Sequence, residues 1–361
     1  MTAFINAVGT AVPDHEVHQA FIDWARARVG GRELKLFDRM AARAGIDRRW
    51  SVLPAAPDGG SPVAMGGFYA SNEGGLPDTL PGTGRRMGIY AETAPELALR
   101  AIAALGERAE LGAITHIVVA SCTGFVAPGI DQIVARRLGL SPSVERLLVG
   151  FMGCYAAVAA LRSARHIVRS EPAARVLVVT VELCTLHLQA VDEVEPLLAQ
   201  LQFGDGAAAA LVTADPHGFA IDQPFATTLP ESHELIRWNI TDSGFAMHLS
   251  GAVPGRIGQA LADPATAEAA TGGRAPDAID GWAVHAGGRS ILDAVQNAFR
   301  LAPDALDASR RVLSEFGNMS SATLMFVLER LLAGPPVREG LALAFGPGLA
   351  AEGFGFRSAT T

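Results

Sequence analysis

The chain has 361 residues, 49% of them hydrophobic and 18% charged, with a formal net charge of −8. That length suffices for one large domain or two ordinary ones around a sizeable core, and the composition excludes a disordered polymer. The acidic balance excludes a general nucleic-acid binder, and no apolar run reaches the roughly 20 residues of a membrane helix. The N-terminal stretch Met1–Pro13 lacks a basic region followed by an apolar run, so no secretory signal is expected. Three cysteines, Cys122, Cys154 and Cys184, cannot complete a disulfide framework and point to a reducing, cytoplasmic setting.

In chain order, the segment Ala55–Met87 is rich in Gly, Pro, Ser and Asp, has no steady period and reads as a loop. Ile114–Ala120 and Ala174–Val181 are β-branched runs that read as buried strands. Between them, Tyr155–Ser170 carries apolar residues at helical spacing with arginines on the other face. Strands alternating with helices predict an α/β fold with largely covered sheets.

The sequence also echoes itself. Phe203-Gly-Asp-Gly206 before an alanine-rich strand is matched by Phe345-Gly-Pro-Gly348 before Leu-Ala-Ala. Phe151-Met-Gly-Cys154 before a helix is matched by Glu315-Phe-Gly-Asn318 before a helix over Met319–Leu332. Ser121-Cys122 ends one strand and His285 ends another, in the same relative order. The chain therefore reads as two similar α/β halves, residues 1–216 and 217–361, meeting near 215–220. Equivalent strand ends of such a duplication converge on a pseudo-two-fold axis, which would gather Cys154, His285 and Asn318 in one site.

Each of these residues has a chemical and a structural reading. Cys154 precedes a helix whose free N–H groups and partial positive charge favour a thiolate, whereas free cysteine is also a common core residue. His285 precedes Ala-Gly-Gly, where backbone can approach a ligand closely, but only its place in the repeat separates it from the other histidines. Asn318 either caps the following helix or acts beside Cys154, and the residues alone leave both open.

Gly150-Phe-Met-Gly-Cys154-Tyr-Ala-Ala, Val284-His285-Ala-Gly-Gly, Gly317-Asn318-Met-Ser320-Ser and Phe345-Gly346-Pro347-Gly348 resemble the chalcone synthase family, the type III polyketide synthases. The similarity runs from Val8-Gly-Thr-Ala-Val-Pro13 to the C-terminus. It implies a thiolase-like fold of two duplicated α/β halves in α-β-α-β-α layers, and a homodimer. It also implies iterative condensation of CoA thioesters without a carrier protein, from malonyl-CoA and a starter acyl-CoA. No metal or redox cofactor is implied.

By this resemblance Cys154 accepts the starter and holds the growing chain. His285 stabilises its thiolate as an ion pair and then bonds the thioester carbonyl. Asn318 joins His285 in stabilising the enolate formed by decarboxylation. Phe203 matches a gatekeeper phenylalanine between the CoA tunnel and the cavity, and Met247 stands where the second gatekeeper falls. Arg39 and Arg43 match positions that bind CoA phosphates, while a third holds Leu36, with Lys35 beside it. Ser320 and the loop Gly346-Pro347-Gly348 fall among the family's substrate-binding positions.

Departures narrow the expected product. Cys122 and Thr123 stand where plant chalcone synthases carry hydroxyl residues at the starter end, and Cys184 and His187 occupy two further cavity positions that are usually threonines. Packing is the alternative role for Cys122 and Cys184. Cys122-Thr-Gly-Phe and Glu182-Leu-Cys-Thr-Leu resemble bacterial members, including tetrahydroxynaphthalene synthase and phloroglucinol-forming enzymes. Trp238 replaces a small glycine and narrows the cavity, whereas Ala127 replaces a methionine that crosses the dimer interface and widens it. The expected enzyme is bacterial, extends with malonyl-CoA, starts from malonyl-CoA or an aliphatic acyl-CoA, and releases a small aromatic or pyrone. Two rivals are a ketoacyl synthase of the fatty-acid initiation type and a non-catalytic partner subunit. The first typically has Gln-Ala-Asn after the histidine where this chain has Ala-Gly-Gly, and the second conflicts with retention of all three residues.

Overall fold

The computed structural model describes residues 1–54 and 81–359. Its strands are β1 (Phe4–Ala11), β2 (His15–Glu16), β3 (Trp50–Ser51), β4 (His116–Ser121), β5 (Glu145–Gly150), β6 (Val176–Leu183) and β7 (Asp205–Thr213). They continue as β8 (Phe219–Thr228), β9 (Ile236–Thr241), β10 (Gly244–Leu249), β11 (Gly281–Val284), β12 (Gly340–Gly346) and β13 (Ala350–Ser358). Nine of them form one mixed sheet in the order β11-β12-β13-β8-β1-β7-β6-β4-β5.

Read outward from its middle, this sheet repeats itself. β1 pairs antiparallel with β7, β7 antiparallel with β6, and β6 parallel with β4. β8 pairs antiparallel with β13, β13 antiparallel with β12, and β12 parallel with β11. The two series meet at Phe4–Ala220 and Ile5–Phe219, with Ile221 N–H donating to Ala3 O (2.9 Å), so they are half-sheets joined at a short seam. A turn between Thr213 and Phe219 carries the chain from one to the other.

Side-chain alternation along the strands builds the layers. Val118, Val178 and Ala210 point inward from the first half-sheet, and Ala283, Ala342 and Phe354 from the second, into one shared cluster. The helices Ala156–Ser170 and Ser321–Leu332 fill that cluster. Every residue from Ser321 to Leu328 is buried, which requires a helix without a charged face there. On the outer faces, Ile117 and Leu177 pack on the helix Thr83–Gly106, and Trp282 and Leu341 on Val253–Ala262 and Arg289–Phe299. The result is the expected α-β-α-β-α stack. Each fully buried Val, Leu or Phe in it contributes about 1.5–3 kcal/mol relative to exposure.

The boundaries differ from the sequence pattern for local reasons. β4 starts at His116, not Ile114, because Thr115 is tied to Arg175: its N–H donates to the Arg175 carbonyl (3.0 Å). β6 runs on to Leu183 because Glu182 and Leu183 still pair with Gly206 and Asp205. Of the expected loop 55–87, residues 55–80 lie outside the described residues. Thr83–Met87 is helical instead, because Thr83 N–H donates to Asp242 O (2.8 Å) and Thr83 Oγ1 accepts from Gly244 N–H (2.8 Å). That docking onto the β9–β10 hairpin overrides the local glycines. Among the described residues no helix is long and apolar enough to cross a membrane.

Candidate active site

Two left-handed glycines set the site. Gly153 has φ 76° and Gly317 has φ 68°, and they precede Cys154 and Asn318 at equivalent places in the two halves. A Cβ on Gly153 would lie 2.4 Å from Pro347 Cδ, and one on Gly317 would lie 2.8 Å from the Gln202 carbonyl. Neither φ nor space admits a side chain. The Phe-Gly loop of each half thus presses on the turn of the other. Asn318 N–H donates to Gln202 O (2.7 Å) and Gly204 N–H to Asn318 O (3.0 Å). Reciprocally, a Cβ on Gly346 would stand 2.6 Å from the Tyr155 ring and 3.3 Å from Cys154 N. His285 follows β11 and is fixed by its N–H to Leu343 O on β12 (2.8 Å).

These turns bring Cys154, His285 and Asn318 onto one narrow cavity of about 40 Å³. Cys122, Thr123, Cys184 and Phe203 line it from the first half, and Trp238, Met247, Ser320, Gly346 and Pro347 from the second. Trp238 Nε1–H donates to Cys122 O (2.8 Å), holding the indole across that end. Gly348 takes the left-handed turn of the loop (φ 72°) and is not part of the wall.

Asn318 stands in the turn ahead of the helix, whose N-cap is Ser320. Its Oδ1 accepts from Ser320 N–H (2.8 Å) and its Nδ2 donates to Gly287 O (3.2 Å). The helix therefore starts at Ser321 rather than Met319, with Met319 N–H capped by Thr323 Oγ1 (2.8 Å). The cysteine helix likewise opens with a 3₁₀ turn, Gly153–Tyr155, before Ala156.

Burial dominates the electrostatics. It pushes the Cys154 thiol up to about 12, opposed by hydrogen bonds from Ser320 and Asn318 and reinforced by the Glu182 charge. Burial alone pushes His285 down to about 3. Both ring nitrogens of His285 are buried without a hydrogen-bond partner, a costly state for a structural residue. His187 is the contrast. Burial also lowers it to about 3, but its Nε2–H donates to Thr123 O (2.6 Å) and its Nδ1 accepts from Phe245 N–H (3.0 Å). Its ring stacks on Phe245 with centroids 4.2 Å apart. It lines an adjoining cavity of about 270 Å³, which shares Cys184, Phe203, Trp238 and Met247 with the first. His187 thus lines the adjoining cavity rather than the one that holds Cys154, with both ring nitrogens satisfied.

Sequence reasoning passed over Glu182, although a carboxylate inside an apolar strand run was a visible signal. It is fully buried and accepts from Cys122 N–H (3.0 Å), Thr123 Oγ1 (2.8 Å) and Ser321 Oγ. Burial raises its carboxyl, and those bonds work against the rise. Cys122 Sγ lies 3.1 Å from Ser320 Oγ, and burial holds the Cys122 and Cys184 thiols well above the usual range. Both thiols are therefore neutral walls at neutral pH.

A mouth of about 500 Å³ adjoins the cavity through Leu249 and Ile291, and Leu36 and Met40 lie along it. Beyond it a surface cleft of about 540 Å³ holds Arg43, Arg289 and Asp293. Arg39 is exposed and lines neither space, because its helix turns Leu36 and Met40 toward the mouth instead. Arg289, which sequence reasoning missed, donates from Nη1 to Arg43 O (3.3 Å) and so stands beside Arg43.

With both reacting groups neutral, a thiolate forms here at least cost by proton transfer to His285, which leaves the cavity's net charge unchanged. In His285→Gln no such acceptor remains, and burial holds the thiol well above the usual range. Alkylation of Cys154 by iodoacetamide in that variant should climb about tenfold per pH unit from about pH 7 to 10. The wild-type profile should be much flatter. Parallel profiles would contradict the coupling.

The chain matches the family model for chalcone and stilbene synthases in two parts, the N-terminal domain over residues 78–216 and the C-terminal domain over 221–360. It is 36% identical over 287 residues to the alpha-pyrone synthesis polyketide synthase-like Pks18 of Mycobacterium tuberculosis, covering 75% of this chain and 72% of that protein. It is 38% identical to the bisdemethoxycurcumin synthase of Oryza sativa subsp. japonica, covering 97% of this chain and 91% of that one. Among solved structures, the C-terminal type III polyketide synthase domain of Steely1 from Dictyostelium gives a TM-score of 0.87 at 24% identity, covering 100% of both chains. PKS-I of the brown alga Ectocarpus siliculosus gives 0.83 at 28% identity, covering 99% of this chain and 98% of that one. The chain therefore belongs to the chalcone and stilbene synthase family, the type III polyketide synthases, which are condensing acyltransferases of thiolase-like fold.

Proposed function

We propose that Cys154 takes a starter acyl group from its CoA thioester and that the chain then extends it with malonyl units. The sulfur attacks the thioester carbonyl, its proton passes to His285, and CoA leaves as the thiol. Malonyl-CoA then loses CO₂, and the electron pair of the broken C–C bond becomes a thioester enolate. Asn318 Nδ2–H and His285 stabilise the developing oxyanion. The enolate carbon attacks the Cys154 thioester, a C–C bond forms, the C–S bond breaks, and the lengthened chain leaves on CoA for the next round. The observation that carries this reading is one buried cavity holding the thiol, the amide and an imidazole with two unpartnered nitrogens.

The narrow space between Trp238, Phe203 and Met247 favours malonyl or aliphatic starters over bulky aromatic ones. Met247 is unbranched and adaptable, so the wall it shares with the adjoining cavity can yield to a growing chain. The name of the mycobacterial relative supports a pyrone as the released ring. The CoA nucleotide fits the surface cleft, where Arg43 and Arg289 offer charge for its phosphates. Three free, buried cysteines suit a reducing compartment such as the cytoplasm.

We also read the protein as a homodimer. β5 is one of the two edge strands of the sheet, and it exposes Leu147 and Leu148 with Phe125 exposed beside them. An unprotected apolar edge of this kind is a pairing surface, and a second copy of β5 satisfies it with two-fold symmetry. Light scattering should give the mass of two chains for the wild type and of one chain for Leu148→Arg. A one-chain mass for the wild type contradicts the dimer.

Turnover is tested by offering malonyl-CoA, malonyl-pantetheine and malonyl-carrier protein separately. Arg289→Ala should raise KM for malonyl-CoA about fivefold, the worth of one partly exposed charge contact, and leave malonyl-pantetheine unaffected. Turnover with the carrier protein alone would overturn the reading.

A further inference from the structure

We propose that His116, Glu145 and Glu171 bind one divalent transition-metal ion of the zinc type, at the end of the first half-sheet remote from Cys154. His116 opens β4 and Glu145 opens β5, and the two are direct partners in the parallel ladder. Glu171 ends the helix Ala156–Ser170, whose other end adjoins Cys154. One strand length, about 17 Å, and one helix length, about 22 Å, thus separate this cluster from the reaction cavity.

The imidazole is built as a ligand rather than as a surface histidine. The His116 side chain is only 7% exposed. Its Nδ1 lies 2.8 Å from Thr115 Oγ1, which accepts from Arg175 N–H (2.9 Å) and lies 3.3 Å from Arg175 O. All four groups are satisfied if the hydroxyl donates to Arg175 O and accepts from Nδ1–H. That assignment leaves a lone pair on Nε2. Nε2 makes no hydrogen bond and faces Glu145 Oε2 at 3.7 Å and Glu171 Oε2 at 3.9 Å, both beyond hydrogen-bond reach.

A lone pair at the open edge of a mostly buried imidazole, facing two carboxylates, is an arrangement that a cation completes. One nitrogen and two oxygens suit Zn²⁺ or Co²⁺, with the fixed Nδ1–H supplying the orientation that metal-bound histidines need. All three donor atoms lie within 4.8 Å of one another. Bonds of about 2.0–2.1 Å in a tetrahedral arrangement put donors about 3.3 Å apart, so each exposed glutamate needs to close on the imidazole by about half an ångström and the two on each other by at most about 1.5 Å. The ion would tie together two strands and a helix end, and binding only the folded chain it would raise the melting temperature.

The test titrates Zn²⁺ into metal-stripped wild-type protein, His116→Ala and Glu145→Gln, by calorimetry and thermal melting, with Co²⁺ absorption as a check on ligand type. Glu145 is exposed, so Glu145→Gln keeps the fold even if His116→Ala does not. We expect saturable binding in the wild type, a rise in melting temperature, and a Co²⁺ spectrum without thiolate bands. Each substitution should weaken binding at least tenfold and abolish the rise, with turnover unchanged. Equal Zn²⁺ affinity in the wild type and Glu145→Gln would overturn the site. So would an absence of saturable binding up to about 100 μM, and so would a protonated His116 that pairs with the glutamates and leaves Zn²⁺ without effect.

Discussion

The site depends on a mutual clamp between the two half-sheets. Gly153 and Gly317 both take positive φ, and each is pressed by the Phe-Gly loop of the other half. Asn318 is held through its own backbone by Gln202 and Gly204, so the second half's residue is positioned by the first half's chain. Cys154 is seated against Gly346 and Pro347 in the reverse sense. A side chain at either glycine would cost about 1–3 kcal/mol in backbone strain alone, before any clash. The shared inner core then fixes the two clamps relative to each other, because both helices that leave the turns are buried in it. Neither half holds the chemistry alone.

Partner satisfaction separates His285, to which we assign a reacting role, from His187. His187 and His285 are both buried and both pushed down to about 3. His187 uses both nitrogens and stacks on Phe245, whereas His285 uses neither. Glu182 resembles His187 in this respect: its carboxylate takes bonds from Cys122, Thr123 and Ser321 and so pins the cavity floor across the half-sheet boundary. The unsatisfied imidazole is the group left ready for a substrate or a sulfur proton. The proposed mechanism uses such a group twice, once for the thiol and once for the enolate.

Much of this was legible in the sequence because the clamp is written twice. The glycine before Cys154, the glycine before Asn318 and the two Phe-Gly loops are local motifs whose geometry follows from residue type. The buried strands were legible too, since a continuous β-branched run is a property of single segments. What escaped depends on contacts distant in sequence. The partners of Glu182 include Ser321, and those of His187 include Phe245. Arg289 becomes interesting only once its carbonyl partner Arg43 lies beside it, and Arg39 loses interest because of how its helix is turned. Thr83–Met87 is helical because of a hairpin more than 150 residues away. No periodicity in those segments encodes such placements.

In the proposed function one cysteine carries the acyl chain and the clamp holds Asn318 ready for the next step. Intact-protein and peptide mass spectrometry after incubation with an acyl-CoA tests it most directly. Wild type and Asn318→Ala should both carry the acyl group on the Cys154 peptide, with Asn318→Ala unable to extend it when malonyl-CoA is added. An acyl group on Cys122 or Cys184, or product formation by Cys154→Ala, would contradict the account.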